Sequence, residues 1–90
     1  SQYSMKYTAT VSYPGPADPR FERNLDALAI GEGGKFGMTT YLPVTQDSYV
    51  VWVFPTLAAA GAFRTAVQKR FHKMRKFSCK VAELAAREQA

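Results

Sequence analysis

Polar and apolar residues alternate from Lys6 to Tyr13, with Tyr7, Ala9, Val11 and Tyr13 on one side and Lys6, Thr8, Thr10 and Ser12 on the other. That is the period of a strand with one buried face. Pro14-Gly15-Pro16 ends it. The period then becomes helical: Asp18 stands as an N-cap before Pro19 at the first helical position, and Phe21, Leu25 and Leu28 follow at i, i+4 and i+7. Gly31-Glu32-Gly33-Gly34 closes this helix and predicts a mobile connection. Alternation returns over Lys35–Leu42, with Phe36, Met38, Thr40 and Leu42 on one face, Gly37, Thr39 and Tyr41 on the other, and Pro43 marking a sheet edge. After a polar turn at Gln46-Asp47, Tyr49–Phe54 is apolar on both faces, as suits a central strand. Pro55 stops it, and Thr56 is placed to cap a second helix with an inner stripe of Ala60, Phe63, Val67, Phe71 and Met74. Lys76–Val81 reads as a fourth strand with Phe77, Cys79 and Val81 inward.

The order β-α-β-β-α-β packs most simply as an α+β, ferredoxin-like plait: a four-stranded antiparallel sheet with both helices on one face. The first and third strands are then central, the second and fourth edges. With 90 residues, 47% of them hydrophobic, the chain has material for one core. The expected domain spans residues 5–82. Met5 is the expected native start, with residues 1–4 left over from expression, and residues 83–90 form a tail or short helix. No apolar run approaches the roughly 18 residues of a membrane span, so no membrane partner is expected. One cysteine and one histidine supply neither an internal disulfide framework nor a Cys/His zinc site. Neither cofactor nor metal is expected, and a free Cys79 points to a reducing, cytoplasmic setting.

The formal charge of +5 is unevenly spread. Residues 1–47 are near neutral and residues 83–90 carry two acids and one base, whereas residues 48–82 hold Arg64, Lys69, Arg70, Lys73, Arg75, Lys76 and Lys80 with no acid. At 100° per residue, Phe63, Val67, Phe71 and Met74 of the second helix cluster within about 80°, and Lys69, His72, Lys73 and Lys76 fall opposite. Such a surface suits the phosphates of DNA or RNA through salt-sensitive contacts. The same cations also complement a helix C-terminus and keep a surface soluble.

Catalytic chemistry finds little support. Cys79 lies on the apolar side of its strand and His72 opposite the apolar stripe, so no nucleophile and base are paired. Glu22 and Asp26, one turn apart beside Arg23, read as a solvated helix face. The segment Gly31–Lys35 precedes a strand instead of opening a helix and matches neither the dinucleotide fingerprint nor the P-loop; an anion could meet it only through Lys35. No catalytic residue is assigned.

A second surface is the sheet face left open by the helices. Either Tyr49, Val51 and Val53 or Val50, Trp52 and Phe54 must point there, and Tyr41, Tyr49, Val51 and Trp52 are the candidates for it. The element order with an aromatic third strand resembles the RNA-recognition motif. Asp47–Phe54 keeps aromatics at its third and last positions, Tyr49 and Phe54, and Ala60 and Phe63 follow at that family's helix spacing. Asp47 stands where a cation is expected, Ser48 and Val50 replace glycine-like positions, and Val51 replaces the stacking ring. Thr8, Thr10 and Ser12 add none. The resemblance therefore implies the fold, and no binding residue is transferred from it.

The expected function is a small non-enzymatic binding module contacting nucleic acid through Arg64, Lys69, His72, Lys73, Arg75, Lys76 and Lys80. The alternative is a regulatory or inhibitory protein docking the same helix on an acidic protein, with a homodimer through the open sheet compatible with either.

Overall fold

The computed structural model describes residues 5–84. Its elements are β1 (Tyr7–Pro14), α1 (Pro19–Gly31), β2 (Lys35–Leu42), β3 (Asp47–Phe54), α2 (Leu57–Phe71) and β4 (Ser78–Glu83). The strands form one antiparallel sheet in the order β2-β3-β1-β4, with β1 and β3 central as their patterning requires. This is the ferredoxin-like plait. β4 starts two residues later than its hydrophobic pattern suggested and runs on to Glu83. Beyond Leu84, the expected tail or helix lies outside the described residues.

Helix starts follow local chemistry. The Asp18 carboxylate accepts the Phe21 N–H at 3.2 Å, and the Thr56 hydroxyl accepts the Ala59 N–H at 3.0 Å, each satisfying a donor that the first turn leaves orphaned. Between sheet and helices lie Ala9, Val11, Tyr13, Val50, Trp52, Phe54 and Cys79 from the strands, packed on Phe21, Leu25, Ala29, Ala60, Phe63, Val67 and Phe71. Trp52 and Phe54 both tilt against Phe63, at 5.4 and 5.3 Å between ring centroids.

The two-faced β3 is thereby resolved. Val50, Trp52 and Phe54 are fully buried, while Tyr49, Val51 and Val53 lie half-buried on the open face. Trp52, expected as an open-face candidate, instead points inward, where its indole N–H donates to Asp26 Oδ1 at 2.8 Å. Tyr41 is corrected as well: it pairs with Ser48, whose side chain is buried on the helix side. The cause is a bulge between Phe36 and Met38, which moves Phe36 to the helix side with Thr39 and Tyr41 and leaves Met38, Thr40 and Leu42 on the open side.

The carboxylates of α1 are also not simply solvated. Asp18, Glu22 and Asp26 recur at four-residue spacing and each takes a partner from across the fold. Asp18 pairs with Arg75 at 2.7 Å, Glu22 accepts the hydroxyls of Tyr13 and Thr39, and Asp26 accepts Trp52. Burial, followed by Glu22, pushes the Tyr13 phenol above its ordinary pKa.

The glycine segment after α1 closes the helix as its sequence suggests, through backbone caps. Gly33 and Gly34 donate to the carbonyls of Ile30 and Ala29 at 3.0 and 2.8 Å, with Gly33 in the left-handed region at φ 81°. A Cβ on Gly34 would overlap the Phe54 ring, so this position is fixed by packing. Lys35 then pairs with Val53 on the open side of β2.

Candidate functional site

α2 ends at Phe71, not at Met74. The His72 N–H bonds the Gln68 carbonyl at 3.0 Å, and the N–H groups of Met74 and Arg75 both return to the Phe71 carbonyl. Met74 leaves the expected inner stripe and is 71% exposed in the turn. That turn brings Lys69, His72, Arg75 and Lys76 around an open groove with Thr65, Gln68 and Phe77, about 630 Å³ in volume. Among the described residues, no carboxylate lines it. Lys69, His72 and Lys76 are exposed, and Phe77 is half-buried beneath them. His72 Nδ1 lies 3.0 Å from the Gln68 carbonyl, which can only accept, so Nδ1 carries the hydrogen and Nε2 is the ring's remaining polar atom.

Arg75 does not act as the free cation expected. Its Nη1 lies 2.7 Å from Asp18 Oδ2, and its guanidinium carbon sits 4.1 Å from the Phe21 ring centroid and 4.7 Å from that of Tyr13. The basic segment contains no acid, yet α1 supplies one across 57 residues of chain. Arg75, and then the Phe21 N–H, hold the Asp18 carboxyl below its ordinary pKa. Stacking and pairing make Arg75 the anchor of the α2–β4 turn and one wall of the groove. It is the only ion pair among the described residues.

The other expected cations are divided by the fold. Lys73 is exposed beside the groove, and Arg64 is exposed at the middle of α2, outside the residues that line it. Arg64 is close enough to Cys79 to favour the thiolate, but burial dominates and pushes that thiol up to about 11. Cys79 is therefore a small core residue rather than a nucleophile. Lys80 pairs with Thr10 on the open side of the sheet, so the sheet separates it from the groove. Of the open-face candidates, Tyr49 and Val51 are found there.

Three groove residues, Thr65, Gln68 and Phe77, are not among the site residues that the sequence suggests, Phe77 entering it only as an inward strand position. Thr65, Gln68 and His72 fall at i, i+3 and i+7, a helical stripe beside the apolar one, and that spacing was the available signal. A second, smaller pocket of about 220 Å³ is lined by Ser12, Tyr13, Pro14, Asp47, Lys76, Phe77 and Ser78. It shares Lys76 and Phe77 with the groove.

The class defined by this architecture is the ferredoxin-like α+β plait, and solved structures agree. One is a provisionally assigned PII-like signaling protein from Thermus thermophilus, similar at TM-score 0.66 and 11% identity over 88% of this chain and 85% of that one. Another is a NIPSNAP family protein of unknown function from Agrobacterium tumefaciens, at TM-score 0.54 and 10% identity over 93% of this chain and 92% of that one. At these identities the likeness is one of fold. No protein-family model matches the chain, and no curated protein matches it by sequence. Among the described residues, no helix is long and apolar enough to cross a membrane.

Proposed function

We propose that the chain is a non-enzymatic binding module that holds nucleic-acid phosphates in the groove between the C-terminal half of α2 and the start of β4. The observation that carries this reading is the groove's composition: Lys69, His72 and Lys76 gather around one open concavity with no carboxylate among its lining residues. Asp18, which reaches the turn, is committed to Arg75, and Glu22 and Asp26 bond donors of the sheet. Cations left unneutralised gain by displacing the counterions of a polyanion, and this gain falls with salt. Changing Lys69, Lys73 and Lys76 together to Glu is expected to abolish binding to mixed DNA and RNA oligonucleotides, measured by fluorescence anisotropy. Unchanged binding in the triple variant refutes the surface.

An acidic protein would meet the same charges. In that case oligonucleotides bind negligibly at physiological salt and a stoichiometric protein complex forms instead. Self-association is favoured by a separate observation: Met38, Leu42, Tyr49, Val51 and Val53 share the open sheet face, with Met38 51% and Leu42 43% exposed. A homodimer through this face leaves both grooves outward. Light scattering is expected to give twice the chain mass at high micromolar concentration, and a monomer there removes this arrangement. A buried free Cys79 suits a cytoplasmic protein.

A further inference from the structure

The groove continues past the end of α2. Lys76 and Phe77 line both it and the 220 Å³ pocket, so a strand leaving the groove over Lys76 arrives at the end of the sheet. The chemistry changes there. Asp47 brings a carboxylate, which repels phosphate and accepts N–H groups, while Pro14 and Phe77 add apolar walls. The Ser12 and Ser78 hydroxyl oxygens are 2.7 Å apart, so one of their two hydrogens is spent between them and the other is available to an acceptor. The volume is below the roughly 300–1,000 Å³ of a pocket for a whole ligand, which makes it a subsite for one group.

Resting on the phosphate reading above, we infer that the ligand is single-stranded and that this pocket takes a guanine base. A carboxylate has two acceptor oxygens side by side, and guanine alone among the common bases presents two adjacent donors, N1–H and N2–H, on its Watson–Crick edge. Its neighbouring O6 accepts, and Lys76 Nζ or the spare serine hydrogen supplies the donor. Adenine and cytosine set a ring acceptor beside their amino group, and thymine and uracil flank one donor with carbonyls, so each places a lone pair against Asp47. Only an unpaired base exposes this edge, which excludes a duplex. Asp47 pairs with no cation among the described residues and is available for the contact.

The test compares a thymidylate octamer with the same octamer carrying one central guanine or one central hypoxanthine, which lacks the N2 amino group, with inorganic polyphosphate as the base-free control. The guanine strand is expected to bind about tenfold more tightly than thymidylate, with hypoxanthine between them. Asp47→Ala and Asp47→Asn are expected to bring the guanine-to-thymidylate ratio to about one while polyphosphate binding is retained, which also shows that the variants are folded. Equal affinity for the three strands, or a guanine preference that survives in both variants, overturns the guanine subsite and leaves the phosphate groove standing. Failure of every probe to bind, polyphosphate included, overturns both.

Discussion

Trp52 shows how one side chain settles a face. The apolar pattern of β3 allowed either of its sides to be buried, and nothing within the strand chose between them. The choice lies in α1: Asp26 stands where it can accept the indole N–H at 2.8 Å, so the largest residue of the strand enters the core with its polar atom satisfied. Tyr13 follows the same logic, its hydroxyl donating to Glu22 and accepting the Asp18 N–H at 2.9 Å. Trp52→Phe removes a hydrogen bond to a charged group while keeping an aromatic ring, and is expected to cost about 1.5–3 kcal/mol in urea unfolding. An unchanged midpoint contradicts the account of why this face is inward. The partners of Glu22 and Asp26 were illegible from spacing, because a carboxylate pair one helical turn apart looks the same on a solvated face as on one that meets sheet donors. The β2 faces were misread for a different reason: strict alternation holds only without a bulge, and Gly37, whose added Cβ would lie 3.0 Å from the Val51 carbonyl oxygen, was the sole clue to one.

At the level of elements, the turn between α2 and β4 is where the charge pattern becomes a site. Helical periodicity carried the apolar stripe one turn too far, to Met74, because a 3.6-residue period records where apolar residues recur and not where the backbone stops. What stops and fixes the turn is Arg75, held by Asp18 and stacked on Phe21 and Tyr13. Asp18 thus serves two elements, capping α1 and tethering the turn. Its pKa is lowered in the fold, chiefly by Arg75, so its contribution to stability is complete above its ordinary value of 3.8 and is lost as pH falls through the lowered one. Asp18→Asn keeps a capping oxygen but loses the charge. It is expected to flatten the dependence of stability on pH below about 4, read from urea midpoints across an acid series. An acid limb identical to that of the parent chain contradicts the tether. The caps themselves were legible, since Asp18-Pro19 and Thr56 carry their chemistry in adjacent residues, whereas the Asp18–Arg75 pair joins residues 57 apart.

Across the whole molecule, the excess charge is sorted by the fold as well as by the sequence. α1 turns its acids to the sheet and the turn, Arg75 is neutralised, Lys80 is sent to the open face, and Lys69, Lys73 and Lys76 remain near one groove. The plait was readable because strand and helix periods, proline stops and caps all agreed on one topology. The concentration of cations was readable too. The open-face position of Lys80 follows from the alternation of β4, but the neutralisation of Arg75 was not readable, because it depends on an acid from the other half of the chain. The groove and the open sheet remain distinct surfaces, joined only at Lys76 and Phe77 by the small pocket at the sheet's end. The most direct measurement of the central claim is the affinity for a single-stranded oligonucleotide titrated with salt, in the parent chain and in the triple Lys69, Lys73, Lys76 to Glu variant. Three phosphate contacts predict a log–log slope of about −2 for the parent chain and no measurable binding for the variant. A slope near zero, or a variant that binds like the parent, contradicts a phosphate-holding groove.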